Sequence, residues 1–340
     1  MSGPFPNLPP EARGAVVLER HTGESLRDNP LGDPAERDLH LYLPPGYAAS
    51  DAPLPALMFL SGFAGTGEKF FSRQLMDPSL ASVFDRLIAQ GCPPFIGVFP
   101  DGMTRLGGSQ YVDSPMIGAY ASYLARDVRA FVEQRTRTSG RWGALGHSSG
   151  GFGALHLAMA FPGAVQAVAS HAGDMSFDLC YLGDVPRAVA GIQAAGGLEA
   201  FQARFWENPD PGGDAFAAFN IIAMSAAYAT TAAPLEALLP FDPASGEIRF
   251  EVLRSWAAFD PIVQVQTIEK ARALADLRLL VLDAGSRDEH GLHLGLRRFV
   301  AALRAAGVPH AHEEFLGGHR NLTRRYALSV PRIAAALCCP

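Results

Sequence analysis

Short unbroken apolar runs alternate with longer amphipathic stretches through most of the chain. The runs ALMFL (56–60), FIGVF (95–99), AVQAVA (164–169) and LLVL (279–282) are bounded, in several cases, by turn residues or proline. Strands apolar on both faces suit burial on both faces, the condition of a parallel sheet covered by helices. Between the runs, Ile117, Tyr120, Leu124, Val128 and Phe131 fall on one side of a helix while Arg126, Arg129 and Glu133 fall away from it. Further helices are expected over 292–306, with Gly307 as the cap, and over roughly 322–337. Strand alternating with helix makes the class α/β. Near the N-terminus, DLHLYLPP alternates polar and apolar positions and stops at two prolines, as an edge strand would, and a hairpin with 14–20 is expected.

One segment breaks the rhythm. About 100 residues separate the strand ending near Ala172 from the one starting near Leu279, far beyond a single crossover helix. The pattern predicts a helical insertion over about 175–275, with aromatic side chains from Phe177 and Tyr181 to Trp256 and Phe259 that either pack it down or wall a pocket. The remainder divides into an N-terminal arm with a first strand (1–37) and a single domain over 38–337.

Composition narrows the function. The 340 residues are 48% hydrophobic and 18% charged, with mean hydropathy +0.09, which excludes disorder as the main description. The net charge of −6 comes without a long basic run, so neither nucleic acid nor an anionic membrane surface is an expected partner. The longest apolar stretch, 221–233, is broken by Ser225, Thr230 and Thr231 and falls short of the roughly 20 residues a span needs. Cys92, Cys180, Cys338 and Cys339 show no ligand-like spacing, and MSGPFPNLPPEARG lacks the features of a secretory signal. A cytoplasmic location is the resulting expectation.

The chemistry concentrates in RWGALGHSSGGFGALHLAMAFP. A short apolar stretch leads into Gly146-His147-Ser148-Ser149-Gly150 and then a small-residue helix, the context of a nucleophile elbow. Glycines at 146 and 150 leave room for a strained turn that lifts the Ser148 hydroxyl clear of the sheet. A serine needs a base. Of ten histidines, only His319 sits in a Gly-rich turn after a strand-like segment (310–315) and before the final helix. In LLVLDAGSRDEHGLH, Asp288 lies in the loop and can reach that histidine, whereas Asp283 closes the strand and is expected to brace the turn. Asp288, Glu289, His290 and His293 also offer metal ligands, but no second ligand set accompanies them, so neither metal nor cofactor is expected. For an oxyanion, Ser149 supplies one backbone N–H and the loop after ALMFL supplies another, from Phe63 with Ala64 as the alternative.

These segments resemble the Putative esterase (esterase D-like) family of α/β-hydrolases, whose relatives include S-formylglutathione hydrolases, enterochelin esterases, feruloyl and acetyl-xylan esterases, and mycolyltransferases. The resemblance runs from about Asp38 to Pro331 on LSGFAG, YVDSP (111–115), GHSSGGFGAL, LDAGSRDEHGLH and EEFLGGH. It implies an α/β-hydrolase fold with a mostly parallel central sheet and helices on both faces; the long insertion, expected between the sixth and seventh core strands, has no counterpart in the resemblance. It implies a triad acid after the seventh strand and a histidine after the eighth, which fall on Asp288 and His319. It also implies that Asp113 and Ser114 of YVDSP lie close to the active site. Where relatives often carry His-Gly at the oxyanion loop, this chain has Ser61-Gly62. The insertion is expected to lie over the carboxyl ends of the strands, with Phe177 and Tyr181 shaping the pocket. The function expected is a serine carboxylesterase acting on a small-molecule ester or thioester. An acyltransferase using the same triad is the alternative, a non-catalytic binding protein is less favoured, and a homo-oligomer is left open.

Overall fold

The computed structural model describes residues 8–72, 78–207, 213–320 and 322–339. Its central sheet has eight strands: β1 (Ala15–Thr22), β2 (Glu36–Leu43), β3 (Leu54–Leu60), β4 (Ile96–Pro100), β5 (Thr138–His147), β6 (Ala167–His171), β7 (Leu279–Gly285) and β8 (Ala311–Phe315). They lie side by side in the order β1-β2-β4-β3-β5-β6-β7-β8. β2 is antiparallel to both β1 and β4, and every other pairing is parallel. The hairpin of β1 with β2 pairs Leu18 with His40.

Within each central strand, successive side chains feed opposite layers. Ala56, Met58 and Leu60 pack into one apolar layer, Leu57 and Phe59 into the other. The second layer is closed by α1 (Leu80–Ala89) and, after Leu322, by the C-terminal helix Thr323–Cys338. On the other face lie α2 (120–135), α3 (Ser149–Ala160), α4 (Gly213–Ala227) and α5 (Leu292–Ala305), so Thr323–Cys338 is α6. Two elements start later than the apolar pattern suggests. α2 begins at Tyr120 rather than Ile117, and β6 takes only the end of AVQAVA because the chain first turns, with the Ala164 amide donating to the Phe161 carbonyl, before it joins β5. Among the described residues, no helix is long and apolar enough to cross a membrane.

Between β6 and β7 the chain makes a series of short helices, of which α4 is the longest and almost wholly buried. The loops leaving the carboxyl ends of β3, β5, β6, β7 and β8 converge on one edge of the sheet. Open α/β sheets bind their ligands there.

Candidate active site

Ser148 sits between β5 and α3 at φ 55°, ψ −129°, a conformation few non-glycine residues adopt. Two hydrogen bonds hold it: its amide donates to the His171 carbonyl of β6 (3.0 Å), and its own carbonyl accepts from Phe152 N–H (3.0 Å). The flanking glycines are steric necessities. A Cβ on Gly146 would collide with the Gly150 carbonyl, and one on Gly150 with the Leu60 carbonyl. The turn therefore closes only with glycine at both positions.

The structure brings Ser148, His319 and Asp288 into one hydrogen-bonded line. Ser148 Oγ lies 3.0 Å from His319 Nε2, and His319 Nδ1 lies 2.8 Å from Asp288 Oδ2. Asp288 is fixed in turn by the His290 amide, which donates to its Oδ1 (2.9 Å). Glu289, beside it, accepts the backbone N–H of His319 (2.7 Å), so the loops after β7 and β8 are tied together at the imidazole. Burial alone would lower the His319 pKa, but the hydrogen bond and charge of Asp288, with Asp174 and Glu289 behind them, hold it above its ordinary value. Burial opposes ionisation of Asp288 as well, yet the His319 contact keeps that carboxyl below its usual range. Both shifts favour an imidazolium–carboxylate pair.

Asp283, the other aspartate of the segment, faces away from this line. Its Oδ2 accepts from His171 Nδ1 (2.9 Å) and Arg325 Nε (3.0 Å) beneath the elbow, while His171 Nε2 meets Ser329 Oγ (2.9 Å). His147, next to the serine and half-buried in the cavity wall, is pushed down to about 3, hence neutral, by loss of solvent and the nearby charges of Lys69 and His319. Among the described residues, no three His, Cys, Asp or Glu side chains are placed to share a metal ion.

The amides of Phe63 and Ser149 make no hydrogen bond to the protein among the described residues. The Phe63 loop is steadied twice over. Ser61 Oγ donates to the Gly65 carbonyl (2.6 Å) and Tyr111 OH to the Ser61 carbonyl (2.9 Å), while the Phe63 ring packs on Phe216 and Phe219 of α4. Serine in place of the histidine common at this point thus closes the loop on itself. The N-terminus of α3 faces the same space, where its dipole favours negative charge.

A cavity of about 1110 Å³ opens above Ser148, lined among others by Phe63, Ser149, Asp174, Tyr181, Phe216 and His319. Three expected pocket residues are not in its lining. Phe177, 4% exposed, is packed among Phe152, Tyr181 and Tyr228, its amide donating to Asp260 Oδ2 (2.7 Å) at the head of the short helix Phe177–Cys180. Asp113 is exposed and accepts from Ser122 N–H and Oγ (2.9 and 2.6 Å), and Ser114 donates to the Ala226 carbonyl (2.7 Å). These bonds tie the small hairpin of Asp113–Ser114 with Gly118–Ala119 to the start of α2 and to the end of α4, and leave neither side chain for the cavity. Tyr181 does line the cavity. Sequence reasoning passed over Asp174 and Gln110, which come together only in the folded chain.

The sequence model of the Putative esterase family matches residues 34–328. Several solved structures share the fold. A ferulic acid esterase is 18% identical with a TM-score of 0.62, covering 95% of this chain and 99% of that one. FphF, a fluorophosphonate-binding serine hydrolase of Staphylococcus aureus, is 15% identical with a TM-score of 0.59, covering 96% and 100%. An S-formylglutathione hydrolase from Agrobacterium tumefaciens is 16% identical with a TM-score of 0.56, covering 95% and 96%. No curated protein sequence matches the chain. With the family model spanning most of its length, the chain belongs to the Putative esterase family of α/β-hydrolases and is an ester-hydrolysing enzyme.

Proposed function

We propose that the protein is a serine carboxylesterase working through Ser148, His319 and Asp288. The observation that carries this reading is the unbroken contact from Ser148 Oγ through the two nitrogens of His319 to Asp288. His319 Nε2 takes the hydroxyl proton as Ser148 Oγ attacks the ester carbonyl. Asp288 accepts a hydrogen bond from Nδ1–H throughout, fixing the tautomer and stabilising the imidazolium. The negative oxygen of the tetrahedral intermediate is received by the free amides of Phe63 and Ser149 at the head of α3. His319 then protonates the departing alkoxide, and water, activated by the same nitrogen, releases the acid from the acyl-enzyme.

The test is a panel of 4-nitrophenyl esters from acetyl to decanoyl, with feruloyl and thioester substrates beside it. Ser148→Ala should lower turnover by up to about a million-fold. Ser149→Ala, which keeps its amide, should lose far less. Turnover of Ser148→Ala comparable with the wild type would sink the assignment. Adding an alcohol acceptor and analysing products separates hydrolysis from acyl transfer: free acid as the main product supports the esterase, and a transferred ester as the main product supports the acyltransferase.

A further inference from the structure

Asp174 lies three residues beyond β6, in the wall of the cavity next to Ser149. It is 5% exposed, and nothing in the hydrolytic sequence above uses it. One of its oxygens is saturated. Oδ2 accepts from Gln110 Nε2 (3.0 Å), Tyr181 OH (3.1 Å) and Ser149 Oγ (3.2 Å). Tyr228 OH stands behind them, 2.9 Å from Tyr181 OH and 3.1 Å from Gln110. The other oxygen, Oδ1, takes no donor from the protein among the described residues and keeps accessible surface in the cavity wall.

Bringing these groups together has a cost in backbone strain. Gln110 and Tyr111 both have positive φ (51° and 56°), as does Ala172 (43°) just before Asp174. Non-glycine residues in this region persist only where surrounding contacts hold them, and they cluster at ligand sites. Burial also works against the carboxyl's ionised form, raising its pKa, and is opposed by the donors from Gln110 and Tyr181. A carboxylate desolvated in this way, with three donors on one oxygen and none on the other, is an acceptor waiting for a partner.

We propose that Asp174 is the polar anchor of the substrate pocket, and that the esters this site favours carry a hydrogen-bond donor, a hydroxyl or an ammonium group, that reaches its Oδ1. The inference rests on the assignment of Ser148 as nucleophile. A site built around a buried acceptor rejects a substrate that lacks the matching donor, because the acceptor is then left unpaired. The tyrosine pair and Gln110 hold the carboxylate in place; the substrate supplies the fourth donor.

The experiment uses matched esters of equal length whose acyl or alcohol part ends in methyl, hydroxyl or ammonium. Each is measured with the wild type, Asp174→Asn and Asp174→Ala. The readout is the preference for the donor-bearing ester over its methyl counterpart, wild type relative to variant, which cancels intrinsic reactivity. A drop in preference of about tenfold to hundredfold in the variants supports the proposal. Hydroxyl and ammonium members tell the two donor sources apart. An unchanged preference overturns it, as does a pH profile that moves while preference stays fixed, since Asp174 would then act only through its charge on His319. Should neither variant fold, wild-type rates that simply follow alkaline hydrolysis rates across the set overturn it as well. Loss of plain acetate ester hydrolysis in Ser148→Ala, measured alongside, shows separately whether the nucleophile assignment holds.

Discussion

Two aspartates five residues apart offer a sharp separation of chemistry from stability. Asp288→Asn puts an amide where His319 Nδ1–H now donates to Oδ2 over 2.8 Å. The amide nitrogen would favour the opposite histidine tautomer, leaving Nε2 protonated and unable to take the Ser148 proton. In serine proteases this substitution costs about ten-thousand-fold in turnover, equivalent to about 5.4 kcal/mol of barrier. Asp283→Asn touches a different pair. Its Oδ2 is bonded to both His171 and Arg325 inside the core, with Asp283 3% exposed. Breaking one partner of a buried ionic pair costs about 3–5 kcal/mol. In a chain of this size that lowers Tm by on the order of 5–10 °C. Steady-state hydrolysis of an aryl ester and a thermal melt on both variants check the reasoning. The expected pattern is an inactive, normally melting Asp288→Asn and an active, destabilised Asp283→Asn. If Asp283→Asn is the more damaging to kcat, the assignment of the acid is wrong.

Because His319 titrates above its ordinary 6.5, kcat/KM should rise with pH through a midpoint above that value, and a rising limb centred below it would contradict the pair geometry. The same raised pKa stabilises the fold fully below about 6.5 and is lost as pH climbs through the folded value, so the melting temperature should fall where activity rises. Phe177→Ala should cost about 3–5 kcal/mol of stability and leave the acyl-chain profile unaltered, as checked by a melt and the ester panel; an altered profile would return Phe177 to the pocket. Gly150→Ala should give insoluble or inactive protein because its Cβ has no space against Leu60, and a normally active variant would refute the tight-turn argument.

Much of the frame was legible because the sheet is built from apolar runs whose two faces are both buried, and such runs carry their own signature. The elbow was legible for a similar reason: glycine at 146 and 150 is a steric requirement, and steric requirements leave fixed residues at fixed spacing. Asp288 was separable from Asp283 by its place in a loop, and the structure shows what the strand-end residue does instead, pairing with His171 and Arg325. The pocket wall was not readable in this way. Phe177 and Tyr181 are four residues apart at one short helical turn and both are packed in the core, yet only Tyr181 also reaches the cavity. Their sides depend on where Asp260, Tyr228 and α4 come to rest, contacts made across 47 to 83 residues of chain. Asp113 and Ser114 were placed near the site by the resemblance of YVDSP alone, and in the folded chain their side chains are taken up by Ser122 and by the Ala226 carbonyl rather than by the cavity. Gln110 and Asp174 meet only in the folded chain, 64 residues apart, so no local pattern announced them.

The central claim is that Ser148 is the nucleophile, and covalent capture tests it most directly. The wild type and Ser148→Ala are treated with a fluorophosphonate, and the adduct is located by mass spectrometry of the digested protein. A single stoichiometric adduct on Ser148, accompanied by loss of ester hydrolysis and absent from Ser148→Ala, is the predicted result. An adduct on Ser149 or any other residue, or full hydrolytic activity in a protein carrying the adduct on Ser148, would contradict it.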